Sequence, residues 1–332
     1  MTRAVVSTAI APTTAPALPA LPPSRAVVFA YHNVGVRCLS VLLAHGVDVQ
    51  LVVTHEDNPN ENIWFESVAR LAAEHDLDCV KPADPNTPEW IERIGALRPD
   101  FIFSFYYRHM LKAELLDAAS RGAFNMHGSL LPKYRGRVPV NWAVIRGERQ
   151  TGATLHRMVV KPDAGEIVAQ QAVPILPDDT AHEVFQKVTV AAEIALDNIL
   201  PALLAGTATL TPMTLTPGNY FGGRKPEDGR VDWTQDARSI HNLIRGVAPP
   251  YPGAFTDLQG RRIRILRSSL NEQRVAPGPA MLTVAGDRLL AECADGHVLR
   301  LLEAECDGQR LDAGTFAALF GTNRVAVNPS ST

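Results

Sequence analysis

The chain has 332 residues, of which 46% are hydrophobic and 20% charged, with a net charge of -3. That composition supplies a sizeable core for one or two domains, and the slightly acidic balance argues against a nucleic-acid binder, which usually carries a basic domain. The four cysteines, Cys38, Cys79, Cys293 and Cys306, form no C-x-x-C pair, so they signal neither a zinc site nor a disulfide framework, and free thiols in a reducing compartment are expected.

Met1 to Ser24 is rich in Ala, Thr and Pro, with prolines at 12, 16, 19, 22 and 23. Those prolines break any apolar segment, so the stretch reads as a disordered extension and not as a secretory signal. No apolar run approaches the ~20 residues that span a bilayer, so a cytoplasmic location without a membrane partner is expected. Ala26 to Tyr31 is a continuous apolar run, the pattern of a buried strand. Asn33 can cap a following helix, with Val36, Leu39, Leu42 and Leu43 at helical spacing and Gly46 at its end. Asp48 to Val53 reads as the second strand. Trp64 to His75 reads as a helix with Val68, Leu71 and Ala72 inward, Cys79-Val80 as a short strand, and Pro88 to Leu97 as another helix. Asp100 to Ser104 and Gly122 to Met126 follow as strands. Strands alternating with helices predict an α/β fold with a mostly parallel sheet covered on both faces. Tyr31-His32-Asn33-Val34-Gly35 stands where a dinucleotide-binding chain has G-x-G-x-x-G, so no such site is supported.

The stretch from Gly122 to Gly147 organises the rest. Asn125 and His127 are two apart at a strand end, and residues two apart on a strand face one side. The loop after them holds Gly128, Pro132, Gly136 and Pro139, and Asn141 to Arg146 resumes a helical pattern. Convergent polar groups at a strand end under a Gly/Pro loop are the form of an active site in an open α/β sheet. Ala153 to Met158 and Ile167 to Val173 read as two more strands, with a turn at Asp163-Ala164-Gly165. Thr180 to Ala205 reads as a long helix opened by a Thr180/Glu183 capping box, with a kink or restart at Pro201. After Gly206, turn residues recur at Gly218, Gly222-Gly223, Pro249-Pro250, Gly260, Gly286 and Gly296. Arg262 to Leu266 and Val298 to Leu302 alternate as strands do. The domain boundaries expected are therefore an extension over 1–24, a catalytic domain over 25–206, a small β-rich domain over 207–321 and a polar, frayed tail over 322–332.

Phe124-Asn125-Met126-His127-Gly128-Ser129-Leu130-Leu131-Pro132 carries the Asn-x-His and Ser-Leu-Leu-Pro signature of the 10-formyltetrahydrofolate-dependent formyltransferases. The longer string HGSLLPKYRGRVPVNW and the later Thr151 to Met158 closely resemble one branch of that family. It is the formyltransferase domain of the polymyxin-resistance enzyme that N-formylates UDP-4-amino-4-deoxy-L-arabinose for lipid A modification. The resemblance covers roughly residues 26 to 321. It implies a Rossmann-like core holding folate rather than NAD, a C-terminal domain that is a small open barrel, 10-formyltetrahydrofolate as co-substrate, a nucleotide sugar as the small-molecule partner, and no metal.

Formyl transfer to an amine needs a proton carrier and a donor for the developing oxyanion. His127 titrates in the right range and Asn125 can donate an amide N–H. Asp163 sits where a carboxylate can hold a histidine and raise its pKa. By resemblance these three match the family's catalytic Asn, His and Asp. The same resemblance implies folate contacts from His109, Met110, Leu111, Arg137, Val159, Val160, Lys161, Pro162 and Asp163. Tyr220, Phe221 and Arg224 resemble the linker that lines the sugar-nucleotide cleft, although Gly223 replaces the first of two basic residues found there. Tyr220 or Phe221 can stack on uracil or pack in the core. Lys133 and Arg135, with Arg137, can meet a folate glutamate tail or a sugar diphosphate, or form a solvated surface. Ser129 lacks the G-x-S-x-G elbow of a hydrolase nucleophile. Methionyl-tRNA formyltransferase shares the Asn-x-His, Ser-Leu-Leu-Pro and Asp-x-Gly elements and is the nearest rival. Two further readings fit the same residues: a formyltransferase for a different nucleotide-linked amino sugar, and a non-catalytic folate-binding protein.

Overall fold

The computed structural model describes residues 23–215 and 219–327. Most of the expected N-terminal extension, Gly218 and the end of the tail therefore lie outside the described residues. β1 (Arg25–Ala30), α1 (His32–Ala44), β2 (Asp48–Val53), α2 (Val68–Glu74), β3 (Cys79–Val80), α3 (Pro88–Ala96), β4 (Phe101–Phe105), α4 (Ala113–Leu116) and β5 (Ala123–His127) alternate as predicted. They are followed by β6 (Arg135–Gly136), α5 (Pro139–Ile145), β7 (Gln150–Arg157), β8 (Ile167–Pro174) and α6 (Ala181–Ala205).

The main sheet has the order β3-β2-β1-β4-β5-β7-β8. Its first five strands run parallel, whereas β7 and β8 join antiparallel. Period-two alternation in β1 sends Val28 and Ala30 into a core shared with α1 and α6. Val27 and Phe29 enter a second core on the other face with Ile94 of α3 and Leu115 of α4. Both faces are thus covered, which is why the strands read as continuous apolar runs.

Local details differ from the sequence reading for identifiable reasons. α1 begins at His32 with Tyr31 in the cap position, and the Asn33 carboxamide accepts the Glu66 N–H at 2.8 Å instead of capping α1. α2 begins only at Val68, capped by the Ser67 side chain, because Trp64 and Phe65 are spent packing on the His32 ring. α6 opens with the predicted Thr180/Glu183 capping box and runs through Pro201 to Ala205 without restarting. It is 25 residues long and apolar enough to match a membrane span by composition, which departs from the expectation of no such segment. Its apolar character serves the fold: Val184, Val188, Ala192, Leu196 and Leu200 are buried in the core with α1 and the sheet.

The second lobe comprises β9 (Tyr220–Phe221), α7 (Ala237–Gly246), β10 (Ala254–Leu258), β11 (Arg261–Arg274), β12 (Met281–Ala285), β13 (Arg288–Glu292), β14 (His297–Cys306), β15 (Gln309–Arg310), α8 (Ala313–Phe320) and β16 (Arg324–Ala326). An antiparallel sheet ordered β10-β11-β14-β13-β12-β16 curls into a half-barrel. Its core holds Trp233, Ile240, Ile244, Ile263, Ile265, Leu282, Leu299 and Phe316. Residues 324–326, expected within a frayed tail, form its last strand by pairing with β12.

α7 ties the lobes together through polar groups that are buried and satisfied. Arg245 Nη1 donates to the Asp179 carbonyl at 3.0 Å, Nη2 to the Val144 carbonyl at 3.4 Å, and Nε to Asn242 Oδ1 at 2.9 Å. Asn141 Nδ2 returns a bond to the Gly246 carbonyl at 2.9 Å. Bonds from a charged donor to otherwise unpaired carbonyls contribute more than neutral ones. An Arg245→Met substitution should therefore destabilise the protein by about 2–3 kcal/mol, read as a lowered denaturation midpoint; an unchanged midpoint would show that α7 does not hold the lobes.

Candidate active site

The same alternation that builds the core aims the site residues. In β5, Phe124 and Met126 enter the α1/α6 core, which turns Asn125 and His127 to the opposite face. β7 runs antiparallel beside it, with His156 opposite Asn125 and Thr154 opposite His127. Ala153 and Leu155 of β7 enter the same core, so His156 must face the site. The β7–β8 turn carries Asp163, whose left-handed φ of 47° is one that a short polar residue tolerates.

Four side chains meet there. Asp163 Oδ1 lies 3.6 Å from His127 Nδ1 and 3.5 Å from His156 Nε2. Asp163 Oδ2 accepts the Gly136 N–H at 2.9 Å. Asn125 Nδ2 is 3.1 Å from His156 Nε2. The far nitrogens are tied to backbone: His127 Nε2 donates to the Tyr134 carbonyl at 2.8 Å, and His156 Nδ1 to the Arg157 carbonyl at 2.9 Å. Asn125, His127 and Asp163 are thus brought together as the sequence suggests. His156 is a member of the cluster that the sequence reading does not single out, although a histidine on the polar side of an otherwise buried strand is a usable signal.

His127 is only 6% exposed. Burial lowers its pKa, and this outweighs the neighbouring Asp163 and the Tyr134 carbonyl, which act to raise it. The expected net elevation by Asp163 is therefore reversed. Burial alone would push the Asp163 carboxyl up, but the neighbouring His127 and His156 rings and the Gly136 N–H together hold it below the usual carboxylate range. The ring is thus disposed to be neutral and the carboxylate ionised near neutrality, as a general base with an anionic partner requires.

Gly136 joins this cluster to the second lobe. Its φ is +99°, and a Cβ there would strike the Phe221 carbonyl oxygen. β6 and β9 pair in parallel, Arg135 with Tyr220 and Gly136 with Phe221. Phe221 stacks on Tyr134 and packs against Trp142, so it belongs to the packing and does not offer a free face to a base. Tyr220 is 56% exposed, with the Arg135 guanidinium over its ring. Arg135 is buried, donates to the Pro162 carbonyl at 3.0 Å, and has no carboxylate in ion-pair range among the described residues; its Nε has no partner there. Arg224 lies over Trp142 and donates to the Asp228 carbonyl at 2.6 Å. Lys133 instead pairs with Glu148 at 3.2 Å and is not a free cation. Arg137 is exposed, its backbone N–H bound to the Phe221 carbonyl at 2.9 Å.

The 106–111 segment continues β4, next to β5, and so opens at the same sheet edge. His109 and Met110 are exposed, but Leu111 is buried in the core beneath, leaving only its backbone for a ligand. Asn86 holds this segment from both sides, donating to the Met110 carbonyl at 3.0 Å and accepting the Lys112 N–H at 2.8 Å. Nothing in the local sequence marks it. Val159 and Val160, at 42% and 73% exposure, and the exposed Lys161 lead into Pro162 and Asp163. Val159 and Val160 are thus exposed apolar side chains on the turn that carries Asp163. His32 and His55 form part of an aromatic wall with Trp64, Phe65, Tyr106 and Tyr107 at the ends of β1 and β4.

Residues 37–200 match the family model described as formyl transferase, and residues 224–320 match that of the formyl transferase C-terminal domain. Among solved structures, an N-formyltransferase from Helicobacter canadensis, in complex with folinic acid and dTDP-3-aminofucose, is 18% identical. The match covers 87% of this chain and 100% of that one at a TM-score of 0.65. WlaRD, a sugar 3N-formyl transferase solved in the presence of dTDP and 5-N-formyl-THF, is 18% identical, with coverage of 87% and 98% and a TM-score of 0.64. HypX from Aquifex aeolicus in complex with tetrahydrofolic acid is 18% identical with a TM-score of 0.58; the match covers 89% of this chain but 47% of that longer one. At this identity the likeness to these structures is one of fold.

Two outcomes follow from the geometry. Ala at position 136 would displace both the Asp163 clamp and the linker strand, so Gly136→Ala should lower kcat by about 100-fold, measured by steady-state turnover; retention of full kcat would show that the clamp is dispensable. His127, His32 and His55 are all held below the ordinary imidazole value chiefly by burial, His32 at about 3 and His55 at about 4. Below the unfolded value each takes up a proton on unfolding. Their contribution is thus fully present above the unfolded value of about 6.5 and is lost as pH falls from there through the folded values. Denaturant unfolding across that range should show falling stability, with a shallower slope in a His32→Asn variant.

Proposed function

We infer that this chain, which belongs to the formyltransferase family, moves a formyl group from a 10-formyl reduced folate to the amine of a nucleotide-linked amino sugar. The observation that carries this reading is the convergence of Asn125, His127 and Asp163 at a sheet edge bounded by the 219–224 linker. In the reaction the amine nitrogen attacks the formyl carbon, whose oxygen becomes an oxyanion. Asn125 supplies an amide N–H to that oxygen. The bond from the formyl carbon to the folate nitrogen then breaks, and that nitrogen gains the proton the amine has lost. A neutral His127 is the carrier of that proton, and the ionised Asp163 stabilises the imidazolium while the proton is held.

The folate donor is supported by the folate derivatives in the Helicobacter canadensis, WlaRD and HypX structures. It is supported too by the exposed apolar edge at Met110, Val159 and Val160. The nucleotide-linked acceptor is supported by the dTDP sugar and dTDP in the first two, and by Arg135 and Arg224, which have no carboxylate partner within ion-pair range among the described residues. Within that class we propose UDP-4-amino-4-deoxy-L-arabinose as the acceptor, on the strength of the string HGSLLPKYRGRVPVNW. Tyr220 is the candidate to stack on the base, and Arg135, Arg137 and Arg224 to meet the diphosphate.

A turnover assay with 10-formyltetrahydrofolate decides the acceptor, with UDP-4-amino-4-deoxy-L-arabinose, a dTDP-linked amino sugar and charged initiator methionyl-tRNA offered in parallel. The arabinose derivative should be formylated in preference to the dTDP sugar, and the tRNA left untouched; formylation of the tRNA alone would sink the reading. In the same assay Asn125→Ala should lose about 100-fold or more in kcat with KM little changed, as removal of an oxyanion donor does elsewhere.

A further inference from the structure

The hydrogen bonds of the site determine its proton inventory. A backbone carbonyl can only accept, so His127 must carry hydrogen on Nε2, toward Tyr134, and His156 on Nδ1, toward Arg157. The nitrogens left over, His127 Nδ1 and His156 Nε2, are 3.6 and 3.5 Å from one and the same oxygen, Asp163 Oδ1. The other carboxylate oxygen is occupied by the Gly136 N–H. With both rings neutral, two lone pairs face an anionic oxygen. One added proton relieves this from either side, on His127 Nδ1 or on His156 Nε2, each as a donor to Oδ1. A second added proton would place two cations in a buried cluster against a single carboxylate. His127 is 6% and His156 2% exposed, so that second charge is costly.

We propose that His127 and His156 offer two seats to a single proton across Asp163 Oδ1, and that His156 is a positioning residue which also governs the Asn125 amide. The amide is the link. Asn125 Nδ2 lies 3.1 Å from His156 Nε2 and can donate there only while that nitrogen is bare. A proton on His127 leaves the Asn125 amide anchored by His156; a proton on His156 removes the anchor. The acid–base group and the oxyanion donor are therefore coupled through a third residue, His156, that is 2% exposed. The other groups bearing on the cluster are Arg135, which disfavours a positive His127 ring, and Arg157, whose side chain is turned to Glu166 at 3.5 Å. This rests on the formylation reading for its consequence in turnover, but the proton inventory is a property of the free protein.

Imidazole nitrogen NMR of the full chain without ligand, titrated from neutral into acid, reads the seats directly. Sharing predicts that His127 Nδ1 and His156 Nε2 protonate with one common midpoint, neither going to completion while the other does. Two independent, complete titrations would overturn the proposal whatever the substrate proves to be. A kinetic arm separates positioning from structure. Gln at position 156 can accept from Asn125 and donate to Asp163 but holds no extra proton. His156→Gln should move the acid limb of the kcat/KM profile to lower pH by about 0.3 unit, the loss of one of two comparable seats, with KM values unchanged. His156→Leu should lose kcat further, because the Asn125 anchor goes as well. A uniform loss across pH with an unmoved limb in both variants would reduce His156 to a packing residue.

Discussion

The site depends on one backbone N–H. Gly136 donates to Asp163 Oδ2, and the same residue pairs with Phe221 of the linker. A carboxylate lowered into a buried cluster needs a fixed donor, and a backbone N–H on a paired strand is about as fixed as a donor can be. Through it the loop after β5, the β7–β8 turn and the start of the second lobe meet at a single point. Only glycine fits, because the Phe221 carbonyl occupies the space of a side chain and φ is positive.

Burial and charge then act against each other in a useful way. Burial disfavours a charged His127, and Asp163 favours one. The outcome is a neutral ring poised beside an anion that is held by its own hydrogen bonds. That arrangement lets a proton be accepted without a counter-charge having to be recruited from solvent. His32, Trp64, Phe65 and Tyr106 pack on one another beside this sheet edge. The second lobe is docked by Arg245 and Asn141 through carbonyl bonds, a directional attachment that specifies orientation more sharply than an apolar seam.

Much of this is legible in the chain. The apolar runs of β1, β4 and β5 announce strands buried on both faces, and Thr180 with Glu183 announces the start of α6. Asn125 and His127 share a face for the elementary reason that a strand has period two. Less legible are elements whose residues serve a distant partner. Trp64 and Phe65 look helical yet pack on His32, and Asn33 looks like a cap yet binds Glu66. Phe221 looks able to stack on a base until its neighbours Tyr134 and Trp142 come into view. The helices α7 and α8 lie hidden among turn residues that draw attention to strands.

The sequence by itself determined the alternating fold of the first lobe, the β-rich character of the second, and the identity of Asn125, His127 and Asp163 as a candidate set. The fold and the shared face of Asn125 and His127 follow from local periodicity and residue chemistry, which neighbours in the chain can express, whereas Asp163 joins the set through the resemblance of its Lys161-to-Ile167 motif to the family. Only the tertiary structure decided that His156 joins them, that Gly136 clamps Asp163, that His127 ends up below its ordinary pKa, and that Lys133 is engaged by Glu148. Each of these is set by strand register, burial or a contact across many residues, and none of these quantities exists until the chain is folded.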